Sequence, residues 1–151
     1  MKTLVVGDLH LKQQFVLPRI DGMLAGDAEI GRIVFLGDAC DDWGANEADE
    51  LNAMEFYAKW VREHRGRGMR IDVLLGNHDF CYVRGKRGPG SIISIMRNLR
   101  TILEDALQAK VACAVGPYLC SHAGVTGVWA KRFLADVPAD AVAIAQRLNE
   151  M

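Results

Sequence analysis

Ile71-Asp72-Val73-Leu74-Leu75-Gly76-Asn77-His78-Asp79 decides the reading of this chain. A short run rich in branched apolar residues stops abruptly at a glycine, and three polar side chains follow it. Such a run reads as a buried strand. The glycine lets the chain turn sharply where the strand ends. Working outward, the same grammar appears three more times. Leu4-Val5-Val6 precedes Gly7-Asp8-Leu9-His10, and Ile33-Val34-Phe35-Leu36 precedes Gly37-Asp38-Ala39-Cys40-Asp41. Tyr118-Leu119-Cys120 precedes Ser121-His122-Ala123-Gly124.

Helical patterns lie between these runs. Val16 to Leu24 predicts a short helix. Glu47 to Arg65 carries Leu51, Met54, Tyr57, Ala58 and Val61 at helical spacing, and Gly66 is its stop. After Gly88-Pro89-Gly90, Ser91 is the expected cap of a third helix whose stripe is Ile92, Ile95, Met96, Leu99, Ile102, Leu103 and Ala106. Val111–Val115 and Tyr118–Cys120 read as strands around Gly116-Pro117, and a last helix is expected from about Ala139 onward. Alternating strands and helices predict an α/β fold with a largely parallel sheet, in one domain over residues 1–151. In such sheets, sites form beyond the carboxyl ends of the strands, where all four polar clusters fall.

The bulk numbers exclude several classes. Among 151 residues, Lys and Arg total 18 against 19 acids, so no global charge points to nucleic acid or an anionic membrane. No apolar run approaches the roughly 20 residues of a membrane span, and the apolar start is too short for a signal peptide. A cytoplasmic location is the expectation. Cys40, Cys81, Cys113 and Cys120 form no Cys-x-x-Cys pair and are expected to be reduced, buried thiols. His64, near a helix end, is expected to be solvated. Neither a Gly-x-Gly-x-x-Gly nor a phosphate-binding Gly-x-x-x-x-Gly-Lys motif is present.

Asp8, His10, Asp38, Asn77, His78 and His122 together offer oxygen and nitrogen donors. That mixture suits manganese, iron or zinc better than calcium. A carboxylate such as Asp38 can bridge two ions, and two metals about 4 Å apart can clamp an in-line displacement at phosphorus.

In their order and spacing, the four motifs resemble those of the calcineurin-like metallophosphoesterases, across residues 4 to about 130. The resemblance implies a metallophosphoesterase-like sheet sandwich flanked by helices, two divalent metal ions and a phosphate-ester substrate, monoester or diester. It implies that Asp8 and His10 bind one metal, Asp38 bridges, and Asn77 and His122 bind the second. It implies that His78 assists the leaving group and that Asp41 orients His78. The family's late Gly-His motif has no counterpart, since none of the four histidines follows His122. The expectation is therefore a C-terminally short version of the fold with a weak second metal site. The uncovered apolar surface of such a fold would favour a homodimer. Asp42 and Leu11 stand where protein serine/threonine phosphatases carry arginine and glycine, which argues against that branch. The alternative is a catalytically weak or inactive metal-binding fold with a regulatory role. The basic loop Arg84-Gly85-Lys86-Arg87-Gly88, Trp43 and Trp129 are further candidates to line the cleft.

Overall fold

The computed structural model describes residues 1–151. Three parallel strands, β1 (Lys2–Val6), β2 (Ile30–Phe35) and β3 (Arg70–Val73), form one sheet in the order β1-β2-β3. The crossovers are helices α1 (Gln13–Gly26) and α2 (Glu47–Gly66). Beyond β3 lie α3 (Asn77–Val83) and α4 (Met96–Thr101). An antiparallel hairpin of β4 (Ala112–Val115) and β5 (Tyr118–Ser121) makes a second sheet, followed by α5 (Gly127–Phe133) and α6 (Ala141–Glu150). The expected α/β fold, with one sheet and part of a second, is what the chain forms. No helix is long and apolar enough to cross a membrane.

Strand alternation sorts β2 onto two faces. Ile33 and Phe35 point into the main core with Leu17, Ile20, Tyr57, Val61, Ile71 and Val73, beneath α1 and α2. Val34 points the other way, against Leu74 and Cys113 of the hairpin side. On that second face Arg32 and Asp72 are also buried. Arg32 Nε donates to Asp72 Oδ2 at 2.7 Å and Arg32 Nη1 to the Ala114 carbonyl at 2.7 Å. Lys110 reaches the other carboxylate oxygen of Asp72, and Lys110 N donates to the Val73 carbonyl. This ion cluster ties β2, β3 and the hairpin together. Asn149 of α6 closes the hairpin's far side by accepting from the Val111 and Ala112 amides.

The helices differ from their sequence readings at the ends. Helix α1 starts three residues earlier than the periodicity indicates, because buried Gln13 donates to the Ala39 carbonyl and anchors its first turn. Helix α2 is capped by Asn46, which accepts from Ala48 N and Asp49 N, while Asp49 returns the bond to Asn46 N. Ser91 does not cap the third helix. Its hydroxyl accepts from Gly88 N inside the preceding turn, and the helix is broken into a 3₁₀ turn (Ile93–Ile95), α4 and a π turn (Ile102–Ala106). Helices α3 and α5 are unmarked by long apolar periodicity, at seven residues each. Cys40 and Cys113 are buried, but Cys81 and Cys120 are only partly so, and all four are free thiols. His64 is not solvated. Its ring stacks on Trp60 at 3.8 Å, Nδ1 donates to the Trp60 carbonyl, and Nε2 lies 3.0 Å from Asp21 Oδ1. It pins α2 to α1 because Asp21, one turn before the end of α1, faces it across the helix pair.

Burial alone would raise the pKa of Asp72, but the ammonium of Lys110 and the guanidinium of Arg32 outweigh it and hold the carboxyl below its usual range. Its pairing therefore stabilises the fold above the unfolded value near pH ~3.9, and that contribution is lost as pH falls through the lower folded value. Asp72→Asn, which strands the Arg32 charge, is expected to lower unfolding free energy by about 3–5 kcal/mol at neutral pH. Denaturant melts of both proteins check this, and the gap between them should close below about pH 4.

Candidate metal centre

The carboxyl ends of β1, β2 and β3 bring the first three polar clusters to one edge, and the end of β5 adds the fourth. Asp38 is the centre of the group and is 4% exposed. Its Oδ1 accepts from His78 N at 2.9 Å. Its Oδ2 lies 3.4 Å from His122 Nε2 and 3.8 Å from His10 Nε2. His122 Nε2 is also 3.2 Å from Asn77 Oδ1, and His122 Nδ1 is 3.8 Å from Asp8 Oδ1. Ligand atoms of Asp8, His10 and Asp38 all lie within 4.8 Å of one another. The five residues read from the sequence as metal-binding thus stand together.

The hydrogen bonds around the imidazoles set their tautomers. His10 Nδ1 is 2.8 Å from the Asp41 carbonyl, and His122 Nδ1 is 3.1 Å from the Leu36 carbonyl. A carbonyl only accepts, so each Nδ1 carries the proton and donates it. In the neutral ring, Nε2 then presents a lone pair. Both Nε2 atoms sit beside Asp38 Oδ2, which is also an acceptor. Lone pairs facing a buried carboxylate call for a positive charge between them. His10 responds in the same sense: burial pulls its pKa down, but the Asp41 carbonyl and the charge of Asp38 outweigh burial and raise it. No lysine or arginine makes an ion pair with Asp38. The donor set and the lack of a basic partner fit a divalent cation.

Backbone constraints produce this arrangement. His10, Leu11, Asp38 and Asp41 all have positive φ, between 39° and 64°. For residues with a Cβ, each such conformation is unfavourable by roughly 1–3 kcal/mol unless the surroundings hold it. The restraints are visible. Leu9 N and His10 N both donate to the Asp38 carbonyl, at 3.0 and 2.9 Å. Gly37 and Gly76 come so close that a Cβ on Gly37 would strike the Gly76 backbone, and one on Gly76 would strike the Asp38 carboxylate. Only glycine permits that approach.

Three residues without an assigned role in the sequence reading support the site. Asp79, fully buried, accepts from Ala39 N and Cys40 N at 3.0 Å each and from Gly76 N at 2.9 Å. Tyr82 OH donates to Asp41 Oδ1, and the other oxygen of Asp41 is 2.9 Å from His78 Nδ1. Asp41 therefore contacts His78 and is itself held by Tyr82. Glu50 accepts from Asp41 N at 3.1 Å. One signal was available for Glu50: it lies on the buried stripe of α2 with Ala53, Met54, Tyr57 and Val61, where an acid needs a partner.

Two cavities flank Asp38. One, of about 400 Å³, is lined by His10, Asp41, Asp42, Trp43, His78 and Gly90 among others. The other, of about 740 Å³, opens beside Asn77 and His122 and is walled by Phe80 and Trp129. Both tryptophans singled out in the sequence thus line clefts at the site, on opposite sides.

The fold and site together define an α/β protein with a candidate metal centre on its strand ends. Residues 1–147 match the family model of the calcineurin-like phosphoesterases, and the chain belongs to that family. Neither a curated protein nor a solved structure gives a match.

Removing the Asp79 carboxylate frees three amides and unties the two ligand loops. Asp79→Ala is expected to weaken manganese binding by about 10- to 100-fold, as measured by titration calorimetry. Desolvation raises the Glu50 pKa from 4.5 to about 7. A folded value above the unfolded one means that Glu50 costs stability increasingly as pH rises from 4.5 toward 7. Glu50→Gln keeps the acceptor for Asp41 N, so its melting temperature should gain on the wild type between pH 5 and 8.

Proposed function

We propose that this chain hydrolyses phosphate mono- or diesters with two divalent metal ions, manganese, iron or zinc. The observation that carries this is the pair of Nε2 lone pairs, from His10 and His122, converging on the buried Asp38 carboxylate. Asp8 and His10 would hold one ion, Asn77 and His122 the other, and Asp38 would be shared between them. Bound there, such ions neutralise the phosphoryl oxygens and activate water at neutral pH.

The remaining steps belong to the side chains. His78 has Nδ1 held by Asp41, so its Nε2 is the position that can give a proton to the departing alkoxide. Asp41 is fixed on both oxygens, by Tyr82 and by His78, and so keeps the imidazole oriented. A module that only bound metal would have no use for an imidazole oriented in this way. The backbone strain at His10, Asp38 and Asp41 supports the same reading, since strain that neighbouring contacts maintain concentrates at reactive sites.

The test is turnover of a chromogenic phosphate monoester and a diester, with added manganese and with chelator. Turnover is expected to require the metal. Asp38→Asn should reduce it by more than the roughly 100-fold that loss of a residue behind a ligand costs. His78→Ala should lower kcat by about 10²- to 10⁴-fold while leaving metal content unchanged. A folded, metal-loaded protein without turnover would overturn the hydrolase reading.

A further inference from the structure

The side chain of Trp43 is 98% exposed, while the other two tryptophans are largely packed. It stands on the loop between β2 and α2 and lines the same 400 Å³ cavity as His10, Asp41 and His78. Pro89 and Gly90 also line it. An indole left wholly in water contributes nothing to the core, and its apolar face is free to be covered. What it can cover is set by its neighbours. His78 is the group placed to protonate the leaving alkoxide, so the alcohol part of a substrate departs on the His78 side. That is the Trp43 side, away from the cavity beside Asn77 and His122.

Asp42 is paired with Lys12, whose ammonium holds its carboxyl below the usual range. Lys86 and Arg87, both exposed and in no ion pair, lie on the segment before Pro89, whereas Arg84, 5.8 Å over the Phe80 ring centroid, lines the other cavity. No lysine or arginine lines the cavity itself, and Trp43 is the one aromatic residue on its wall besides the imidazoles of His10 and His78.

We propose, resting on the phosphoesterase reading of the site, that Trp43 is a stacking platform for the leaving alcohol, and that the substrate is a phosphate ester of an alcohol bearing a planar ring. Aryl esters and nucleotides share that chemistry. They differ in the span between the ester oxygen and the ring, which is one bond in an aryl ester and a sugar in a nucleotide. Trp43 would act by binding the ring, and the phosphoryl group would remain with the residues around Asp38.

The experiment compares kcat/KM of wild type, Trp43→Ala and Trp43→Phe on phenyl phosphate, adenosine monophosphate and glycerol phosphate. Trp43 makes no side-chain contact in the core, so both variants are expected to fold. In Trp43→Ala, kcat/KM for a ring-bearing ester relative to glycerol phosphate should fall by roughly 5- to 100-fold, the worth of one stacked ring, and Trp43→Phe should restore most of it. A fall confined to phenyl phosphate identifies an aryl ester, and one confined to the nucleotide identifies a nucleoside. An unchanged ratio for both overturns the platform and leaves the hydrolase standing, with the exposed indole then belonging to a protein interface. If the wild type hydrolyses none of the three, nor the chromogenic diester, the hydrolase reading is what fails. Calorimetric binding of phenyl phosphate and adenosine monophosphate then decides the platform. Tighter binding of either to wild type than to Trp43→Ala upholds it, and equal or absent binding of both overturns it.

Discussion

The carboxylate of Asp79 accepts three backbone amides, from Gly76, Ala39 and Cys40, in a place no water reaches. It thereby fastens the loop after β2 to the loop after β3. Besides that tie, the bond from His78 N to Asp38 Oδ1 joins the turns that carry Asp38 and Asn77. With them, Gly37 and Gly76 are pressed together and Asp38 is forced into positive φ, which turns its carboxylate toward the neighbouring loops. The Asp38 carbonyl in turn takes the amides of Leu9 and His10, so the first loop is registered against the second. Three loops that carry candidate metal ligands are thus aligned by main-chain bonds.

The rest of the molecule supports that arrangement from behind. The main core under α1 and α2 holds β1, β2 and β3 at their common height. On the other face, the Arg32–Asp72–Lys110 cluster and the Val34–Leu74–Cys113 contact dock the hairpin. That docking delivers His122 to Asp38 from the second sheet. The candidate site is therefore a joint between two layers, and the position of His122 depends on a packing contact that the residues on the parallel sheet do not need. Behind His78 stands Asp41, whose carboxylate is held by Tyr82 and whose amide donates to Glu50. One oxygen of Glu50 lacks a partner, as do the Gln13 carbonyl oxygen and the Tyr57 hydroxyl.

Much of this was legible in the sequence because it rests on local pattern. Apolar runs ending in Gly-Asp or Gly-Asn mark strand ends, and a parallel sheet sends its strand ends to one edge whatever the rest of the chain does. The amphipathic stripe of α2 reads equally well, down to Gly66. Where the reading failed, the cause was a contact from elsewhere in the chain. Gln13 extends α1 because the Ala39 carbonyl lies within its reach. Ser91 serves a turn instead of a helix because Gly88 N claims its hydroxyl. His64, at a position that favours water in an isolated helix, is captured by Asp21 of the neighbouring helix.

By itself the sequence determined the residue types of the site, the order of strands and helices that bears them, and the edge on which they gather. Those follow from side-chain chemistry and from the periods of strand and helix, which act over a few residues. Tertiary structure alone decided which side chain faces which. The positive φ values at His10, Asp38 and Asp41, the orientation of both Nε2 lone pairs toward Asp38, and the exposure of Trp43 beside His78 all depend on contacts between segments some thirty to ninety residues apart in the chain. A linear pattern carries no information about such distances. Main-chain hydrogen bonds between loops and burial in a shared core create them, and these exist only once the chain has folded.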